Sequence, residues 1–219
     1  MSVVLSISLT ACGTPTHRET HPSTTQIDED VLNNVSEFAI NVGNPAEEAW
    51  KRLSAYRRED LLASLLRLRD ANRKDDILEA YIAFVLCNLD YDYEGNRSVI
   101  VNAFKQSIDY ADRLRGPVAR LIDRGDWDLL PLLFDVALRS DGDLSEGLAS
   151  TFSNQMQARP EQFLLRLKAQ PSAVKHRVYE LLRFGMPKDG SQITAYLSTV
   201  PKDSPIATVA KEMLTAISK

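Results

Sequence analysis

Leucine-rich stretches with a period near 3.6 recur down this chain, each opened by an acidic residue or proline and closed by a glycine or proline break. Leu61, Leu62, Leu65, Leu66 and Leu68 follow Arg58-Glu59-Asp60, an acidic start that suits the positive end of a helix dipole. A second run starts at Asp75-Asp76 and carries Ile77, Leu78, Tyr81, Ile82, Phe84 and Val85. Asp128 precedes Leu129, Leu130, Leu132, Leu133, Val136 and Ala137, and Asp143 precedes Leu144, Leu148, Phe152 and Met156. Pro160-Glu161 and Pro171-Ser172 open two more, because proline at a first helical turn loses no hydrogen bond. The last two are expected near Gln192 to Leu197 and Ile206 to Ile217.

Breaks are predicted at Gly95-Asn96, Gly116-Pro117, Gly125-Asp126, Asp141-Gly142, Pro160, Pro171 and Lys188-Asp189-Gly190. No segment alternates with period two, so no sheet is expected. Asp60-Leu-Leu-Ala-Ser-Leu-Leu resembles Asp128-Leu-Leu-Pro-Leu-Leu, and another helix start follows at Glu161. That spacing weakly resembles the helical repeats of HEAT-like proteins, in which stacked helix pairs share a core. The expected fold class is therefore all-α: an array of antiparallel helix pairs (α-solenoid, HEAT-like) or an irregular helical bundle. Residues 28–219 are expected to form a single all-helical domain.

The amino-terminal residues read differently. A short apolar run, Val3 to Leu9, leads into Leu9-Thr10-Ala11-Cys12-Gly13. An aliphatic residue, two small residues and a cysteine resemble the lipobox of bacterial lipoproteins. The first cationic residue of the chain is Arg18. The resemblance implies a signal segment at 1–11, cleavage before Cys12, and lipid attachment to Cys12. It also implies a position in the cell envelope facing the periplasm, with Gly13 rather than aspartate after the cysteine favouring the outer membrane. The stretch Thr14 to Gln26 is polar, threonine-rich and holds two prolines, so residues 12–27 are expected to be a soft tether.

A formal net charge of -4 argues against a nucleic-acid partner, which would need a clustered positive field. Chemistry-bearing motifs are sparse, and no cofactor is implied. Cys87 lies in Tyr81-Ile82-Ala83-Phe84-Val85-Leu86-Cys87, where a thiol acts as a small hydrophobe. His17 and His21 stand four apart, but in the tether and without a third ligand. His176, between Lys175 and Arg177, is expected on a solvated helix face.

The most distinctive string is Asp90-Tyr91-Asp92-Tyr93-Glu94-Gly95-Asn96. Its carboxylates fall at calcium-loop positions, yet the twelfth position is Val101 instead of a bidentate glutamate. It reads as an acidic turn between helices, with Tyr91 and Tyr93 as candidate partner contacts. Asp75/Asp76 and Glu47/Glu48 read as helix-start carboxylates. The cluster Arg57, Arg58, Arg67, Arg69, Arg73 and Lys74, interleaved with acids, reads as a salt-bridged face. Trp50 and Trp127 are expected in the core.

The expected function is that of a membrane-anchored periplasmic protein that binds or scaffolds another envelope protein without catalysis. The alternatives are an immunity-type lipoprotein that neutralises a secreted toxin, and an enzyme acting on envelope polymers.

Overall fold

A computed structural model describes residues 23–185 and 191–218, and it is all-α: twelve α-helices and no strand occur among the described residues. They are α1 (Thr24–Ile40), α2 (Asn44–Ser54), α3 (Arg58–Ala71), α4 (Asp76–Asn88), α5 (Tyr93–Gln106) and α6 (Ile108–Asp123). A 3-10 turn (Trp127–Leu129) leads into α7 (Leu130–Ala137), α8 (Gly142–Ala158), α9 (Pro160–Lys168) and α10 (Ser172–Gly185). The chain ends with α11 (Ser191–Thr199) and α12 (Ala207–Ile217). No helix among the described residues is long and apolar enough to cross a membrane.

Local chemistry sets several of these boundaries. The Asp75 carboxylate accepts the Leu78 N–H at 3.0 Å, which satisfies one of the orphan donors at the start of α4. Ser107 caps α6 in the same way through the Tyr110 N–H. Pro160 supplies the first residue of α9. The first helix begins at Thr24, ahead of the expected onset near Asp28, with Ser23 as its cap.

Three expectations need correction. Gly95-Asn96 is not a break but part of the first turn of α5, and the turn proper lies just before it at 89–92. Gly116-Pro117 sits inside α6, which runs on without a stop. An interior proline costs roughly 3 kcal/mol in an isolated helix. Here Leu114, Pro117, Val118, Leu121 and Ile122 are all buried, and that burial holds the helix together. Asp128 opens no α-helix directly; it lies in the 3-10 turn, and α7 starts two residues later. The Lys188-Asp189-Gly190 break lies outside the described residues.

Packing combines the two expected architectures. Helices α4, α6, α8, α10 and α12 each touch the next in a row, with α7 and α9 packed alongside, as stacked helix pairs would be. Helix α1 departs from that order: it packs on α2, α3, α4 and α6 together, as in a bundle. A single core runs through both parts. Its second half centres on Phe134, Phe152 and Phe163, whose rings lie 5.3 to 5.9 Å apart.

Helices α8 and α10 approach each other closely at Gly185. A Cβ built on Gly185 would lie 2.6 Å from the backbone carbonyl carbon of Ala149, which cannot move aside as a side chain could. Gly185→Ala should therefore destabilise the protein by about 1–3 kcal/mol, measured by urea unfolding. The control is Gly147→Ala. There the atoms nearest the new methyl belong to the guanidinium of Arg115, a flexible end that can swing away. Alanine also favours a helix over glycine by about 0.5–1 kcal/mol, so that change should be neutral or stabilising. Equal losses at both sites would contradict this account of the α8–α10 crossing.

Candidate functional site

The feature that stands out on the surface is where α1 ends. The apolar pattern of α1 does not stop with the helix: Ile40 is 61% exposed and Val42, just beyond it, is 72% exposed. Large aliphatic side chains bared to this degree are few in the described residues, and these two fall together at the end of α1 and in the short loop after it. Gly43 follows with φ at +65°, a left-handed conformation that glycine adopts at little cost, and the chain turns into α2.

Beside this loop lies a pocket of about 580 Å³. Its apolar side is formed by Phe38 and Trp50, whose rings lie 5.0 Å apart, with Val42 and Ala46 at the rim. Trp50 is half-buried, not fully in the core, and Trp127 is likewise only half-buried against it. The polar side comes from the ends of two other helices: Asn88 closes α4, and Arg120, Asp123 and Arg124 close α6.

Arg120 is the unusual member. Its guanidinium lies 4.6 Å from the centre of the Phe38 ring and 4.5 Å from that of Phe84. Those two rings stack on each other at 5.1 Å. One nitrogen, Nη2, donates to the carbonyl of Ala39 at 2.8 Å. Nε and Nη1 are buried with no hydrogen-bond acceptor, and Arg120 makes no ion pair among the described residues. Burial, opposed in part by Asp123, brings its pKa down to about 10, so the group stays cationic at neutral pH. A largely buried cation that has two aromatic faces, one carbonyl and a partial offset from Asp123 is under-compensated.

The neighbouring charges are already engaged. Arg124 donates to the Cys87 carbonyl and to Asp90, both at 2.9 Å. Asp123 accepts the Gln155 amide at 2.5 Å. Glu47 lies in the first turn of α2, where it answers the helix dipole.

The acidic string singled out in the sequence is built for structure. Asp90 and Asp92 take left-handed backbone angles, with φ at 52° and 40°, which costs a non-glycine residue energy. Asn96 holds that turn. Fully buried, it donates through Nδ2 to the carbonyls of Tyr91 at 2.8 Å and Asp92 at 2.9 Å, and its Oδ1 accepts from Arg69 at 3.3 Å. Tyr93 points its hydroxyl at Asp126 (2.9 Å), and Arg97 pairs with the same carboxylate at 2.5 Å. Burial, and then the hydrogen bond to Asp126, push the Tyr93 phenol well up. Tyr91 is 36% exposed, so of the two tyrosines it presents more surface. Among the described residues no group of three or more potential ligands is placed to hold a metal ion.

Replacing Asn96 by leucine should cost about 3 kcal/mol, because the Tyr91 carbonyl and the Arg69 donor lose this partner together, while the Asp92 carbonyl keeps only the backbone N–H of residue 96. Hydrogen exchange should rise first at 89–93 in that variant. A loss below about 1 kcal/mol would mean that the turn is held by something else.

The other candidates fall as follows. Cys87 is fully buried, and burial raises its thiol to about 12, which keeps it protonated and unreactive. His176 is exposed on α10, its Nδ1 2.8 Å from the Ser172 carbonyl. The basic cluster of α3 is largely used within the protein. Arg67 pairs with Asp28 of α1, Arg58 donates to the Leu89 carbonyl, and Arg57 and Arg73 pair within their own turns. Cys12, His17 and His21 lie outside the described residues. The pocket beside Val42 is what sequence reasoning missed, since it is assembled from three separated stretches. One signal was readable: apolar Ile40 and Val42 continue to the edge of the Gly43-Asn44-Pro45 break.

Comparison of the chain with protein-family models, with curated proteins and with solved structures finds no match. The functional reading therefore rests on the residues themselves.

Proposed function

We propose that this protein is a lipid-anchored, periplasm-facing helical module that binds another envelope protein, tethered through Cys12 and docking at the turn between α1 and α2. The observation that carries the docking face is the exposure of Ile40 and Val42 beside a pocket floored by Phe38 and Trp50. Aromatic and aliphatic anchors next to a recess are what a partner's side chain can bury, and such centres dominate interface energetics. The anchor rests on the Leu9-Thr10-Ala11-Cys12 motif, and Gly13 supports the outer membrane. The helical body serves as a rigid frame for the docking face.

A photo-reactive amino acid placed at position 42 in living cells should give a discrete cross-linked adduct. The same probe at Lys202, an exposed residue in the turn between α11 and α12, should not. Adducts of equal yield at both positions, or none at position 42, would remove this docking reading.

A further inference from the structure

The charge around the pocket says more about its occupant than the apolar floor does. Four charged residues line it: Arg120, Arg124, Glu47 and Asp123. Arg124 and Asp123 each hydrogen-bond to other parts of the protein, and Glu47 is an exposed residue of the first turn of α2. The Arg120 cation is matched only in part: it makes one donor bond, two of its nitrogens have no acceptor, and Asp123 offsets less than burial costs it. A purely apolar occupant would cover this charge and lower the local dielectric further, making it costlier. An occupant with an anion at that edge would offset it.

We infer that the pocket takes an acidic-hydrophobic peptide segment of the partner, with an aromatic or aliphatic side chain on Phe38 and Trp50 and a neighbouring carboxylate drawn toward Arg120. The inference rests on the docking reading above and names the chemistry that the site selects. Arg120 acts here as a specificity residue. Its field favours a carboxylate over an amide of the same shape, while Phe38 and Phe84 hold the guanidinium in place.

The test uses three capped peptides with the full-length protein: acetyl-Gly-Asp-Phe-Gly-amide, its Asn-Phe counterpart and its Asp-Gly counterpart. Binding is read from the shift of the Trp50 indole N–H, resolved from that of Trp127 by a Trp127→Phe control. The Asp-Phe peptide should bind at least about tenfold tighter than either relative, a ratio that corresponds to 1.4 kcal/mol. Arg120→Met should abolish the preference for Asp over Asn. Should that variant not fold, Val42→Lys and Val42→Glu on the exposed loop supply the charge test. Lysine should strengthen Asp-Phe binding and glutamate should weaken it, with the Asn-Phe peptide unaffected.

Equal binding of the Asp and Asn peptides would overturn the inference, and so would no shift of Trp50 with any of the three. Equal binding by anionic phosphatidylglycerol vesicles and by the Asp-Phe peptide, with no aromatic preference, would overturn it in favour of a lipid surface. If position 42 still cross-links to a partner in any of these cases, the docking reading stands without this chemistry. If it does not, both fall.

Discussion

Cys12→Ser should move the protein from the membrane fraction to the soluble fraction and remove labelled fatty acid from it. The size of the effect follows from the anchor. Each acyl methylene buried in a bilayer contributes about 0.8 kcal/mol, and one myristoyl-length chain gives an association constant of only about 10⁴ M⁻¹. Two or three chains on one cysteine multiply that constant to the point where dissociation is negligible. Serine carries no thioether, so the loss is close to complete and not graded. A variant that still sediments with membranes after a salt wash would sink the anchor reading.

The second large effect is expected at Phe84→Ala. Phe84 is fully buried, stacks on Phe38 and carries the Arg120 guanidinium over its face. Removing the ring loses its transfer energy and leaves a cavity, for about 3–5 kcal/mol. The urea midpoint should fall with the m-value unchanged. Phe38 and Arg120 also lose the surface they rest on, so the pocket should loosen even in the folded fraction. Phe163→Ala, in the distant three-ring cluster, is the comparison: it should cost stability of similar size and leave the Trp50 signal of the folded state as it was. A Trp50 signal that changes equally in both variants would mean that the pocket responds to global loosening and not to Phe84.

Much of the helical order was legible because a few residues mark helix starts chemically. Asp75 caps α4 with its own side chain, and Pro160 and Ser172 stand where α9 and α10 begin. The region from 93 to 123 was not legible, and the reason is tertiary. Gly95-Asn96 has the composition of a turn, yet the amide of Asn96 finds three partners only when α5 starts ahead of it. Pro117 has the composition of a stop, yet it lies on the buried face of α6 with Leu114, Val118 and Leu121. Local propensity was overridden in both places by hydrogen bonds and packing that no short window displays. The pocket was hidden for a related reason. Its aromatic half comes from α1 and α2, but the cation comes from α6, and Arg120 in sequence is one arginine among many.

Helix α1 joins the two ends of this account. Residues 1–22 enter it at Ser23, and Ile40 and Val42 leave it at the other end. Its 17 residues at a rise of about 1.5 Å each set those points roughly 25 Å apart. A membrane pulling on one end and a partner pulling on the other would therefore load the protein along a single helix. Because α1 lies against α2, α3, α4 and α6 at once, such tension acts as shear across four neighbours. It does not peel one helix away turn by turn. The same embedding that departs from a plain helical array makes α1 a tie-rod.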